Sequence, residues 1–133
     1  MITEQIRSML KNTKNVFIAT VNAVGQPHMA IGEQVTVSSD DLLIFENWFC
    51  PTTLQNINNN ARVAVVTVLS DTGTGYQMLG SVVRSKNIAM IDGYDAAVAL
   101  PESPQVLTRF MVKVESVLEF SGGIHTDIPI SYQ

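Results

Sequence analysis

The side chains whose types could do chemistry gather mainly in one stretch, Glu46-Asn47-Trp48-Phe49-Cys50-Pro51-Thr52-Thr53. Cys50 is the only thiol of the chain. As a nucleophile it would need a base and a third group to orient that base. The two histidines, His28 and His125, stand far from it in sequence, and no spacing ties either to the cysteine. Free cysteine is among the most buried residue types, so packing is the expected role of Cys50. Two histidines and one cysteine without paired spacing give no zinc signature, and no metal is expected. Asp40-Asp41 reads as a turn rather than as a carboxylate pair, because Asp favours turns through local hydrogen bonds. Gly73-Thr74-Gly75 is too short for a phosphate loop. No residue is nominated as catalytic.

What the stretch can do is bind. Pro51 suits the first position of a helix, and Thr52 and Thr53 then place hydroxyls among the amide donors that a first helical turn leaves unpaired. Such an arrangement accepts a phosphate or a carboxylate. Glu46 and Asn47 add polar groups where a polyol could run, and Trp48 and Phe49 offer flat apolar surface. The plainer reading is a helix cap beside two core aromatics, and these residues taken alone favour it.

The elements around the stretch follow from hydrophobic spacing. Ile6, Met9 and Leu10 fall on one helical face, with Thr3 as N-cap, so residues 3–12 read as a short amphipathic helix. Val16 to Val21 reads as a strand. Asn22 to Pro27 carries the Gly and Pro of a hairpin turn, and His28 to Val37 returns as a second strand. Ser38 to Asp41 turns the chain into a third strand, Leu42 to Glu46, which completes a meander. Leu54, Ile57 and Ala61 mark a helix of about two turns that Asn58-Asn59-Asn60 would end. Arg62 to Leu69 is apolar nearly throughout, as a central strand covered on both faces would be. Tyr76 to Ser85 follows a Gly-containing loop, with Gly80 as a bulge or a point of close approach. Ile88 to Ile91 extends that strand, and Asp92 to Leu100 reads as a short helix stopped by Pro101. In the last strand Phe110, Val112, Val114, Leu118 and Phe120 share one parity, against Lys113, Glu115 and Glu119 on the other. Six strands with few and short helices call for a closed or nearly closed antiparallel barrel in one domain, residues 1–133.

Composition sets outer bounds. The chain has 133 residues, 46% apolar and only 15% charged, which leaves little polar surface to cover a lone globule and favours a homodimer. The net charge is −4 and the eight Lys and Arg residues are scattered, so no nucleic-acid partner is expected. A single cysteine and an N-terminal segment without the apolar core of a signal peptide point to the cytoplasm. The longest apolar runs are too short to span a bilayer, so no membrane partner is expected either.

The order of these pieces resembles a known family. FIATVNAVGQPH, a strand, and then LLIFENWFCPTTLQNINNNARVAVVTV look like the signature of the pyridoxamine 5'-phosphate oxidase-like FMN-binding split barrels. Phe45-Glu46-Asn47 matches the strand end, and Asn56-Ile57-Asn58-Asn59-Asn60-Ala61-Arg62-Val63 matches the helix and the strand after it. Gly73 to Ser81 is similar to the strand that follows the Gly-rich loop in the small members, and the likeness covers roughly residues 14–120. The resemblance implies a mainly β fold: a six-stranded antiparallel split β-barrel of Greek-key type with a few short helices. It also implies a homodimer with FMN at the interface, and a nicotinamide or a protein as electron donor. The flavin-contacting strand maps onto Ala30, Ile31, Gly32 and Glu33, and the pre-loop pair onto Glu46 and Asn47. The phosphate-binding pair maps onto Thr52 and Thr53, the Gly-rich strand onto Gln77, and Trp48 or Phe49 falls near the ring. Many members carry Arg or Lys where this chain has Thr52 and Thr53, so charge would come from Arg62, Arg84, Lys86 or the other subunit. The C-terminal IHTDIPISYQ lacks the basic residues that pyridoxamine phosphate would need. The implied function is an FMN-dependent oxidoreductase of this group other than the true oxidase. The alternatives are a non-enzymatic FMN carrier or electron-transfer module, and a flavin-free dimeric binding protein.

Overall fold

The computed structural model describes residues 2–32, 35–48, 50–90 and 106–130. Its elements run α1 (Glu4–Asn12), β1 (Val16–Val21), β2 (Pro27–Gly32), β3 (Val35–Val37), β4 (Leu42–Trp48), α2 (Pro51–Asn59), β5 (Arg62–Val68), β6 (Thr74–Met90) and β7 (Val106–Ser121). Local chemistry explains most boundaries. Thr3 Oγ1 accepts from Ile6 N at 3.3 Å and starts α1. Asn22 Oδ1 accepts from Val24 N and Gln26 N, and Gly25 takes φ +85°, which closes the β1–β2 turn. Ser38 Oγ accepts from Asp40 N and Leu42 N between β3 and β4, so Asp40-Asp41 is a turn.

The strands form one antiparallel sheet in the order β2-β1-β5-β6-β7-β4-β3. The two outermost strands are consecutive in the chain. Laid flat, seven strands at about 4.8 Å spacing would set those edges about 29 Å apart. Three peptide steps from Gly32 to Val35 reach no more than about 11 Å. The sheet therefore has to curl until its edges meet, and the expected antiparallel barrel is what results. Counted as one path round the barrel, β2 and β3 reduce the seven segments to the six expected strands. The described residues of the expected second strand, 28–37, are two segments that divide its two neighbours between them. β2 pairs with β1 on one side of the barrel and β3 with β4 on the other.

Register sorts side chains between inside and outside. Ala30, Ile18, Val65, Met78 and Val117 form a cross-strand row on the inner face. The core adds Phe45 stacked on Phe110 at 4.6 Å, with Trp48 edge-on to both. From the helices Ile6 and Leu10 of α1 and Leu54 and Ile57 of α2 pack into the same core. β5 lies between β1 and β6, the interior place that its apolar sequence predicts.

Gly80 is the close approach expected of it, and the bulge lies opposite it on β7. The β6–β7 register shifts between Leu79 and Gly80, and a Cβ at Gly80 would run into the Lys113 carbonyl oxygen. This bulge corrects the single parity expected for β7. Val114 pairs with Gly80 and Ser116 with Leu79, so Glu115 is the extra residue. Beyond it Val117 takes the inward place, while Leu118 and Phe120 turn to the outer face. The expected extension of β6 past Ser85 is present, to Met90. The helix expected at Asp92 to Leu100 lies outside the described residues.

Gly80→Ala should cost about 1–3 kcal/mol in urea unfolding, because the backbone of β7 has to give way. Gly122→Ala, whose added methyl meets nothing within 4 Å, should stay within about 0.5 kcal/mol. Equal stabilities for the two variants would refute the close approach.

Candidate functional site

The corner where β4 leads into α2 is built by opposing preferences. Trp48 turns inward and is 5% exposed, Pro51 takes the first helical position, and Cys50 is the N-cap residue with extended backbone. Unlike α1, α2 has no side-chain cap, and its first turn closes with Leu54 N on Cys50 O at 3.0 Å. The amides of Thr52 and Thr53 precede that bond and lack a partner within the helix. The Thr52 side chain is exposed, whereas Thr53 is fully buried and its hydroxyl donates to Cys50 Sγ at 3.2 Å. Of the threonine pair, Thr52 alone offers its hydroxyl to a ligand.

Thr52, Gln55, Asn56 and Asn59 recur at helical spacing and line one wall of a groove of about 450 Å³; the β1–β2 turn and His28 line the other. Asn56 is 3% exposed and its Nδ2 donates to Thr20 Oγ1 at 3.0 Å, which ties α2 to β1. His28 Nδ1 is buried without a hydrogen-bond partner. Asn56 and His28 are not nominated from sequence. The i, i+4 spacing of Thr52 and Asn56 was the signal for one; the return of β2 alongside α2, which brings in the other, left none. Among the described residues no Lys or Arg lines this groove. Arg62, one suggested source of charge, is exposed at the start of β5, and the side chains of Arg84 and Lys86 are outside the description.

The remaining nominated residues lie elsewhere on the chain. A Cβ at Gly32 would overlap the Trp48 indole, so glycine here lets β2 pass over that ring. Ala30 is half-buried against the core, and Ile31 is 55% exposed on the outer face. Glu46 Oε1 lies 3.1 Å from Arg109 Nε, an ion pair without the alignment of a hydrogen bond. Asn47 is described in its backbone only, on β4, and Glu33 and Phe49 are outside the described residues. Gln77 sits on the outer face in the row Ile31, Phe17, Val66, Gln77, Leu118. Phe17, Val66 and Gln77 of that row, with Ala19, Met29, Ala64, Val68 and Phe120, line an apolar hollow of about 450 Å³ on the sheet. The nominated residues thus do not gather in one place on the chain: Thr52 is in the α2 groove, Glu46 and Trp48 are at the end of β4 with Gly32 over the indole, Ile31 and Gln77 are on the outer face, and Ala30 and Thr53 turn toward the interior.

Among the described residues no helix is long and apolar enough to cross a membrane. No curated protein in the comparison matches the sequence. Solved structures match over nearly the whole chain. HupZ of Group A Streptococcus superposes with a TM-score of 0.70 at 19% identity, over 95% of this chain and 99% of that one. An FMN-binding protein from Syntrophomonas wolfei gives 0.66 at 15% identity, over 89% and 85%. An F420 reductase gives 0.61 at 17% identity, over 86% and 97%. At such identities the likeness is one of fold, which is the split barrel. The family model for pyridoxamine 5'-phosphate oxidase matches residues 2–115, the barrel with both its helices and most of β7, and the chain belongs to that family.

Proposed function

We propose that this protein is a cytoplasmic, homodimeric flavoprotein that binds FMN and serves as an oxidoreductase. The observation that carries the reading is the uncapped start of α2. The Thr52 side chain and His28 line a groove there with room for a phosphate, beside the two amides that the helix leaves unpaired. The family and the FMN-binding fold neighbour support the choice of ligand.

In this reading the first turn of α2 holds the phosphate, Thr53 contributing only its amide. Glu46 and Asn47 bind the polyol and the ring edge, and the stretch from Ala30 to Glu33 lies along the flavin. Gln77, in its apolar hollow, faces the second subunit. Ile31 and Met29 are 55% and 62% exposed, and burying such a face between two copies would remove apolar surface from water. Bound flavin would supply the electron transfer, and the protein would position it, exclude water and tune it through hydrogen bonds.

A specific observation favours a second reading, a dimeric barrel without flavin. The described lining of the α2 groove carries no Lys or Arg to balance a phosphate. A carrier role differs from the oxidoreductase only in the lack of saturable turnover with an organic acceptor.

Purified protein given FMN and freed of excess should retain about one flavin per chain by visible absorption. A folded dimer that retains none would establish the flavin-free reading instead. Thr52→Ala should weaken FMN binding by about fivefold, one hydrogen bond's worth, and Thr52→Lys should tighten it by about tenfold by adding a charged donor. Unchanged affinity in both variants would remove the phosphate from α2.

Met29→Glu places a charge in the apolar outer face and should convert the dimer to a monomer by light scattering, with loss of flavin. A dimer that survives the change would put the interface elsewhere.

A further inference from the structure

A second cavity, of about 580 Å³, lies between α1 and β3 and shares only Glu46 with the residues assigned to flavin. Its volume suits a small molecule. Leu10, Val35 and Val37 give it an apolar floor, and among the described residues β3 pairs with β4 alone. Arg7, Lys11 and Lys14 line the α1 side, three of the eight cationic side chains in a protein of net charge −4.

These three differ in how far they are neutralised. Arg7 Nη2 is 2.6 Å from Asp41 Oδ1, and its Nη1 donates to Ser38 O at 3.4 Å. Lys11 and Lys14 are exposed and make no ion pair among the described residues. Lys11, in the last turn of α1, also complements the helix dipole. Lys14 stands past the Thr13 cap, where that role has ended. The lining also includes Glu46, whose carboxylate lies 3.1 Å from Arg109 Nε. The cavity therefore combines two ammonium groups without an ion pair among the described residues, a carboxylate paired with Arg109, and aliphatic side chains.

We infer that this groove is a second binding site, for a small amphipathic acid whose carboxylate, sulfonate or phosphate meets Lys11 and Lys14 while its apolar body lies on Leu10, Val35 and Val37. Glu46, the one carboxylate of the lining, repels a second acid group, so monoacids with a neutral or hydrogen-bond-donating tail are preferred over diacids. The site is separate from the α2 groove, which is lined by other residues, and meets the residues assigned to flavin only at Glu46.

The full chain is titrated with 8-anilinonaphthalene-1-sulfonate, and in parallel with N-phenyl-1-naphthylamine, a neutral probe with the same ring system, by fluorescence. The expected result is saturable binding of the sulfonate, about one per chain. Lys11→Gln with Lys14→Gln should weaken it about fivefold to tenfold, the sum of two exposed charge contacts, and change the neutral probe less than twofold. Val37→Trp, which fills the floor, should weaken both probes. Lys113→Gln, an exposed cation elsewhere on β7, should change neither. Sulfonate binding that is absent, or equally tight in the double variant with unchanged circular dichroism, would overturn the site. Sulfonate binding lost in Met29→Glu and retained in the double variant would also overturn it, by placing the probe on the outer sheet face.

Discussion

Two residues join the opposite edges of this sheet. Because Gly32 and Val35 are only three peptide steps apart, β2 and β3 cannot lie at the ends of an open sheet, and every other strand has to curve to bring them together. Closure creates an inside, which the Phe45–Phe110 stack, Trp48 and the aliphatic rows fill. It also requires relief, and the long β6–β7 pair supplies it through register shifts at Gly80 and further along. Gly32 serves the same closure from the other side, since only a residue without Cβ passes the Trp48 indole.

The features that could bind ligands are consequences of that closed shape. A barrel has two ends and an outer wall, and short helices cover what the strands leave open. α1 packs along β3 and leaves a cationic groove beside it. α2 follows β4 without a cap and leaves its first amides facing a polar groove. The outer wall carries Ile31, Phe17, Val66, Gln77 and Leu118 in one cross-strand row, apolar except for Gln77. Charge is divided unevenly between these places. The α2 groove has donors without described cations, and the α1 groove has three cations of which Arg7 alone has an ion pair among the described residues.

Legibility in the sequence varied with the range of the physics involved. Local rules placed both helices and nearly every strand: Thr3 as a cap, Pro51 as a first residue, the asparagines ending α2, and Asn22 and Ser38 closing turns. Gly80 was also legible, since an isolated glycine in a strand signals a bulge. The single parity assigned to β7 failed because a bulge inserts one residue into the ladder, and hydrophobic alternation cannot reveal which partner residue it faces. Residues 28–37 looked like one strand because each half alternates correctly, and nothing local marks the change of partner between them. At the candidate site, Thr52 and Thr53 were indistinguishable in sequence, yet one faces solvent and the other the core.

By itself, then, the sequence determined the elements, the barrel class and the family, because caps, turns and hydrophobic period act over a few residues and the motif from Phe45 to Val63 is contiguous. The tertiary structure alone decided which of two adjacent threonines offers its hydroxyl, and that His28 and Asn56 share a groove with it. It also decided that Lys11 and Lys14 stand unpaired above an apolar floor. Each of these depends on which strands meet when the barrel closes, a long-range packing outcome that no local spacing encodes.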